Sequence, residues 1–185
     1  MKILITAFDA FGQSEVNSSE LVLSQLPTKI KDINLTKLLL PTIRTKSLDM
    51  IENLLDKETF DVVLCLGMAS QRKAISIERV AINVDDFRIP DNEGNQPIDE
   101  VIVENGPAAY FSTLPIRQII QKLESLKIPV ELSNSAGTFV CNHVMYGVLH
   151  IIETNKLNTK AGFVHLPSLG DYTESIIQVI LEVSK

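Results

Sequence analysis

Short apolar runs rich in Ile, Leu and Val alternate along this chain with longer stretches in which apolar residues return every third or fourth position. A continuous apolar run suits a strand covered on both faces, and the three-to-four spacing suits one face of a helix. The runs predict strands at Lys2–Ala7, Asn34–Leu40, Asp61–Gly67, Pro129–Ser133 and Ala161–His165. Between them the spacing predicts helices. Asn17 has the chemistry of an N-cap for a helix over Ser18–Leu26, which Pro27 ends. Thr45 opens a second helix, with Leu48, Ile51, Leu54 and Leu55 on one face. Pro115 begins a third, which runs to Lys127 with Ile116, Ile119, Ile120, Leu123 and Leu126 apolar. A fourth follows Cys141 as far as Ile152, and a last one covers Tyr172–Val183.

Strand followed by helix several times over implies an α/β fold, a three-layer α/β/α sandwich on a mostly parallel mixed sheet. Such sheets carry their sites beyond the carboxyl ends of strands. The 185 residues fit one domain at roughly 150 residues per domain, and no repeat or linker marks a boundary within 1–185. One stretch breaks the pattern. Asp85–Ala108 carries Arg88, Pro90, Asp91, Asn92, Gly94, Asn95, Pro97 and Gly106 with little periodicity, and a connection of that length is usually functional or mobile. Within it, Val101-Ile102-Val103 reads as a short hairpin strand.

Composition narrows the function. Hydrophobic residues make up 45% and charged residues 22%, as in ordinary soluble globular proteins, which excludes disordered and fibrous classes. Seventeen Lys and Arg against 23 Asp and Glu leave a formal charge of −6, so neither nucleic acid nor an anionic membrane is an expected partner. The apolar start ends at Asp9, too early for a signal peptide or a membrane span. Of two cysteines, Cys65 lies inside the apolar run Val62–Leu66 as a small buried hydrophobe, and a disulfide scaffold is not indicated. A reducing cytoplasm is the expected compartment.

Cys141 follows the small, flexible Ser135-Ala136-Gly137-Thr138 and starts a predicted helix, where orphan N–H groups and the helix dipole favour a thiolate. It reads either as a nucleophile or as a small buried residue at a strand–helix corner. Three histidines are available. His143 is two residues along the same helix, so it points away from that sulfur, and His150 reads as a packing or surface residue. His165 ends an apolar strand where parallel sheets present functional groups, and it could meet Cys141 as a general base. Glu78, before Val80-Ala81-Ile82, reads either as the carboxylate that orients the imidazole or as a surface residue beside Arg79. A metal site on Cys141, His143 and His165 lacks zinc-motif spacing.

Longer stretches carry a resemblance. Ile5-Thr6-Ala7-Phe8-Asp9-Ala10-Phe11-Gly12, Glu78-Arg79-Val80-Ala81-Ile82-Asn83, Arg88 to Pro97, Gly106-Pro107-Ala108-Ala109-Tyr110 and Ala136 to His143 closely resemble the pyrrolidone-carboxylate peptidases, or type I pyroglutamyl peptidases, from residue 1 to about residue 167. The resemblance implies a phosphorylase/hydrolase-like fold and a cytosolic cysteine exopeptidase that removes an amino-terminal pyroglutamyl residue from peptides, without metal or organic cofactor. It implies a triad of Cys141 as nucleophile, His165 as general base and acid, and Glu78 as the group orienting the imidazole. It also implies that Arg88 assists at the oxyanion and that the enzyme is a homotetramer. Phe8, Phe11, Thr42, Ile89, Phe139 and Val140 match the family's pocket positions, with two aromatic rings clamping the lactam. Asn17 either caps its helix or bonds the ligand.

Three departures from the family pattern stand out. Gly67-Met68-Ala69-Ser70-Gln71-Arg72 replaces a sequence with two more glycines and a Gln. The first loop has Ala7, Ala10 and Gln13 where the family tends to have Gly, Pro and Gly, and the segment after Pro167 is shortened. These changes keep two other readings open, a divergent small cysteine amidase on the same scaffold and a non-catalytic lactam-binding protein.

Overall fold

A computed structural model describes residues 1–12 and 14–185; Gln13, one of the departures in the first loop, lies outside the described residues. The chain runs β1 (Lys2–Phe8), α1 (Ser18–Gln25), β2 (Lys29–Ile30), β3 (Ile33–Leu40), α2 (Arg44–Leu55), β4 (Val62–Met68), β5 (Ile75–Glu78), β6 (Val80–Ile82) and β7 (Ala109–Phe111), then α3 (Ile116–Ser125), β8 (Val130–Ser133), α4 (Val140–Thr154), β9 (Lys160–Leu166) and α5 (Thr173–Val183). Seven strands form one sheet in the order β2-β3-β1-β4-β9-β5-β8. Its centre is parallel, β2 lies antiparallel to β3, and β5 runs antiparallel to β9 but parallel to β8.

Side chains alternate across a strand, so each central strand feeds two cores. Ile3 and Ile5 of β1, with Leu64 and Leu66 of β4, pack against Val22 and Leu23 of α1, Ile119 and Leu123 of α3, and Ile176 and Val179 of α5. Leu4, Phe8, Val63 and Cys65 face the other way, onto Ile51 of α2 and Val144, Met145 and Val148 of α4. Helices on both faces of a mostly parallel mixed sheet make this the expected α/β sandwich. Fully burying a side chain of this kind contributes about 1.5–3 kcal/mol, and α3 does so at Ile119 and Leu123, which have no exposed surface.

Helix starts differ from expectation by a residue. The second helix begins at Arg44 behind Ile43 rather than being opened by Thr45, and Pro115 and Tyr172 stand just outside their helices. The third helix stops at Ser125, before the predicted Lys127, whose backbone takes a positive φ of 59° and cannot continue the helix. Between the end of β4 at Met68 and the start of β5 at Ile75 lies only a short turn. At Val101–Val103 no strand forms. Asn83 holds that run instead, its side-chain oxygen accepting from Ile102 N and Val103 N at 3.0 and 2.9 Å and its amide donating to Val103 O at 2.9 Å. The hairpin partner of β6 is β7, beyond the long segment.

The long segment is strapped down rather than loose. Asp85 and Glu100 exchange backbone hydrogen bonds of 2.7 and 3.0 Å, and buried Asp91 accepts from the backbone of Arg44, Glu93 and Asn95. Asn142, fully buried on α4, accepts from Ile82 N at 3.0 Å and donates to Ile82 O and Val84 O at 2.9 and 3.0 Å. Leaving a buried polar group unpaired costs about 1–3 kcal/mol, and this one amide serves three backbone groups. Asn142→Ala is therefore expected to lower stability by about 2–4 kcal/mol. Urea unfolding should show a lower midpoint at unchanged m-value, and Asn142→Asp, which turns an acceptor toward two carbonyls, should be no better.

Candidate active site

Sheet register assembles one side of the site. In the parallel pair β4–β9, Cys65 stands opposite Phe163 and Gly67 opposite His165. On the far side of β9, Ser76 of β5 stands opposite His165. Alternation then sends Cys65, Gly67, Ser76, Glu78, Phe163 and His165 to the face that α4 covers. Glu78 Oε1 lies 2.7 Å from His165 Nδ1, with both residues buried. A carboxylate accepting from Nδ1–H fixes the tautomer that leaves the Nε2 lone pair available.

The other side is the start of α4. Phe139 occupies the N-cap, and the first bond back along the chain runs from His143 N to Phe139 O at 3.1 Å. The N–H groups of Val140, Cys141 and Asn142 thus stand at an open helix N-terminus, where negative charge is favoured. Cys141 is half-buried. Its seat is a gap in the sheet's side chains. A Cβ on Gly67 would come within 2.7 Å of the Phe163 ring and 3.0 Å of Cys141 Sγ, so only glycine lets the thiol rest against the strand beside His165.

The resting thiol is not the thiolate that the helix start led us to expect. Burial pushes Cys141 from 9.0 up to about 12, with the charge of Glu78 and the neighbouring Cys65 adding to the rise. Arg72 and the residue's own N–H oppose it without prevailing. A helix terminus contributes about 0.3–1 kcal/mol, less than the roughly 1.4 kcal/mol of a single pKa unit, so it does not offset burial beside a carboxylate.

The structure adds a residue that sequence reasoning passed over. Arg72, in the β4–β5 turn, places Nη1 2.5 Å from Glu78 Oε1 and Nη2 3.0 Å from Ser135 O. Glu78 Oε1 is thus shared by an imidazole and a guanidinium, while its buried Oε2 has no partner among the described residues. The signal available was indirect: a carboxylate inside an apolar strand needs a cation, and Arg72 is the nearest arginine before it in the chain.

Beside the thiol opens a cleft of about 610 Å³ whose wall includes Phe11, Met68–Arg72, Asp86, Arg88, Ile89, Ser135–Phe139 and His165. Of the expected pocket residues, Phe11, Ile89 and Phe139 line it, as does the exposed Arg88. The Phe11 and Phe139 rings lie 5.7 Å apart, in contact, and so do not stand open as a clamp. Phe8, Asn17, Thr42 and Val140 are buried and do not reach the wall. Phe8 stacks on Phe163 at 6.3 Å, and Val140 packs in the core. Asn17 accepts from Ser19 N at 3.0 Å and donates to Asp9 O at 2.9 Å, which makes it the cap and a brace for the first loop. Thr42 bonds Asp9 in the same way, through its N–H to Oδ1 at 2.7 Å and its hydroxyl to O at 3.2 Å.

His143 faces away from the sulfur, its Nδ1 2.8 Å from Asp85 Oδ2. Arg44 reaches the same oxygen at 3.2 Å and Glu100 at 2.8 Å. His150 pairs with the Tyr110 hydroxyl at 2.9 Å. Among the described residues, no group of three His, Cys, Asp or Glu side chains is arranged to hold a metal, and no helix is long and apolar enough to cross a membrane.

Comparison with known proteins gives this arrangement a context. The family model for pyroglutamyl peptidase matches residues 1–180. A pyrrolidone-carboxylate peptidase of Treponema denticola is 51% identical over 174 residues, which cover 92% of this chain and 80% of that protein. One from Thermosipho africanus is 50% identical over 169 residues, 91% of this chain and 82% of that protein. The crystal structure of pyroglutamyl peptidase I from Bacillus amyloliquefaciens, 36% identical, superposes with a TM-score of 0.93 over 100% of this chain and 97% of its own. A mutant pyrrolidone carboxyl peptidase from the hyperthermophile Pyrococcus furiosus, 37% identical, gives 0.95 over 100% and 98%. With sequence and fold alike over nearly its whole length, the chain belongs to the pyroglutamyl peptidase family and is a cysteine-type peptidase.

Proposed function

We propose that this peptidase hydrolyses the amide bond that follows an amino-terminal pyroglutamyl residue, with Cys141 as nucleophile, His165 as general base and acid, and Glu78 as the orienting group. The observation that carries the reading is the 2.7 Å Glu78–His165 bond beside a thiol seated at a helix N-terminus. Since the thiol rests protonated, His165 Nε2 removes its proton as Sγ attacks the pyroglutamyl carbonyl carbon. The carbonyl oxygen takes the negative charge and turns toward the free N–H groups at the start of α4, with the Arg88 guanidinium at the cleft wall assisting. Collapse breaks the C–N bond, and the imidazolium returns the proton to the departing amine. Water then attacks the thioester, His165 takes its proton, and the thiol leaves with that proton as pyroglutamate is released.

The cleft suits a lactam. A pyroglutamyl ring is small and uncharged, with one N–H and one C=O, and needs apolar walls with a few polar partners. Phe11, Phe139 and Ile89 supply the walls, and because the two rings touch, the lactam lies against them rather than between them. A free ammonium set against Phe11, Phe139 and Ile89 would give up its water for apolar contacts, a cost of several kcal/mol, and this discriminates against unblocked peptides. Both cores share one sheet, which supports reading residues 1–185 as one peptidase domain. Two unpaired cysteines suit a reducing cytoplasm, and the family resemblance suits a homotetramer.

A fluorogenic pyroglutamyl amide should be cleaved and the matching glutamyl amide left intact, while folded Cys141→Ser is silent. Cleavage of both amides would favour a broader cysteine amidase, and binding of pyroglutamate without turnover would favour a lactam-binding protein. Alkylation of Cys141 by iodoacetamide, read by mass spectrometry against Cys141→Ser, should be slow at neutral pH and climb continuously toward alkaline pH. A rate plateau reached below pH 7 would mean a resting thiolate and overturn the proton order given above. Light scattering should give a tetramer mass, and a sharp monomer mass would sink that assignment.

A further inference from the structure

The triad reading accounts for Glu78 and His165 and leaves the third member of their hydrogen-bonded group without a task. Arg72 is no surface decoration. Its side chain is largely covered, its partner Glu78 has no exposed surface, and its two terminal nitrogens reach two different segments. One holds the carboxylate oxygen that also receives His165, and the other holds Ser135 O in the loop leading to Cys141. A single rigid fork therefore spans the orienting group and the nucleophile's loop, a geometry that an ammonium on a flexible stem does not reproduce.

We propose that Arg72 is a positioning residue of the catalytic group, which fixes Glu78 and the Ser135 loop relative to each other and sets the proton affinity of His165. The proposal rests on the triad assigned above. Its electrostatic part has a definite sign. A guanidinium on the oxygen that binds the imidazole opposes a second positive charge there, so it disfavours the imidazolium. Without it, His165 holds its proton to higher pH.

The remaining charged and titratable groups around the pair are few. Cys141 faces it from α4 and Cys65 from β4, while Glu131 of β8 approaches through Ser76, whose hydroxyl donates to it at 2.6 Å. Asp86 and Arg88 share the cleft wall with His165. Among the described residues none of these hydrogen-bonds Glu78, so removing Arg72 takes away its guanidinium partner and leaves the His165 bond in place.

The test compares wild type, Arg72→Met and Arg72→Lys. In Arg72→Met, kcat for the pyroglutamyl amide should fall roughly tenfold to a hundredfold with KM little changed, as expected when reacting groups are misplaced by a fraction of an ångström to one ångström. The acid limb of kcat/KM should move to higher pH by on the order of one unit. Arg72→Lys should keep the limb near its wild-type place while losing part of kcat, because the charge remains and the contact to Ser135 O does not. An NMR titration of the His165 ring, assigned against His165→Ala, should show the same upward displacement without any substrate. That second readout separates the two ideas: inactive wild type would refute the pyroglutamyl reading, yet the imidazole midpoint would still decide on Arg72. An unmoved midpoint in Arg72→Met, or an equal displacement in Arg72→Lys, would overturn the proposal and leave Arg72 a purely structural brace. Should Arg72→Met fail to fold by thermal melting, Arg72→Gln, which keeps a donor without the charge, carries the same expectation.

Discussion

A carboxylate sealed inside an apolar sheet is an expensive object, and Glu78 governs much of what surrounds it. Its neighbours are chosen by that burial: a guanidinium and an imidazole on one oxygen, and a thiol whose proton it holds in place. Isolated in such a setting, an ionised carboxyl would take up a proton and stop orienting anything. The cation in the adjoining turn and the ring on the next strand keep it useful. In turn its charge, together with burial, favours the protonated sulfur. The reactivity of the sulfur therefore follows from the placement of a group it does not bond.

That placement comes from β-sheet register. Glu78 reaches His165 because β5 lies antiparallel on one edge of β9, while Gly67 clears room for Cys141 because β4 lies parallel on the other. The central strand carries the imidazole, and one flanking strand carries the carboxylate. The other flanking strand carries the absence of a side chain that seats the thiol. A slip of one residue in either pairing would send the matching group to the opposite face of the sheet.

Much of this was legible in the sequence, and the failures have physical causes. The strands β1, β3, β4, β8 and β9 and the five helices stand out because each buries a face, and burial writes a pattern into the sequence. The placement of His165 one residue before the end of β9 and of Cys141 in the first turn of α4 follows from the same reading to within a residue. β5 did not stand out, since Ile75-Ser76-Ile77-Glu78 mixes two polar residues into a short stretch beside a turn, and without it Glu78 reads equally well as a surface residue. Depth is similarly silent: nothing local to Cys141 tells how far burial outweighs a helix terminus. Arg72 looked like loop polarity because its partner lies across a turn. Phe8, Asn17, Thr42 and Val140 occupy family pocket positions in sequence, yet here they form the layer behind the wall, where resemblance by motif cannot distinguish a contact from a support.

The two residues that follow Cys141 give α4 a second occupation. Asn142 grips the backbone of Ile82 and Val84, and His143 grips Asp85, so the strap that carries Arg88 and Ile89 is fastened to the same helical turn as the sulfur. One turn rises about 5.4 Å. The strap is tied to the turn that holds Cys141 through hydrogen bonds rather than through a deformable core. The wall of the cleft and the seat of the sulfur are thereby fastened together within a single helical pitch.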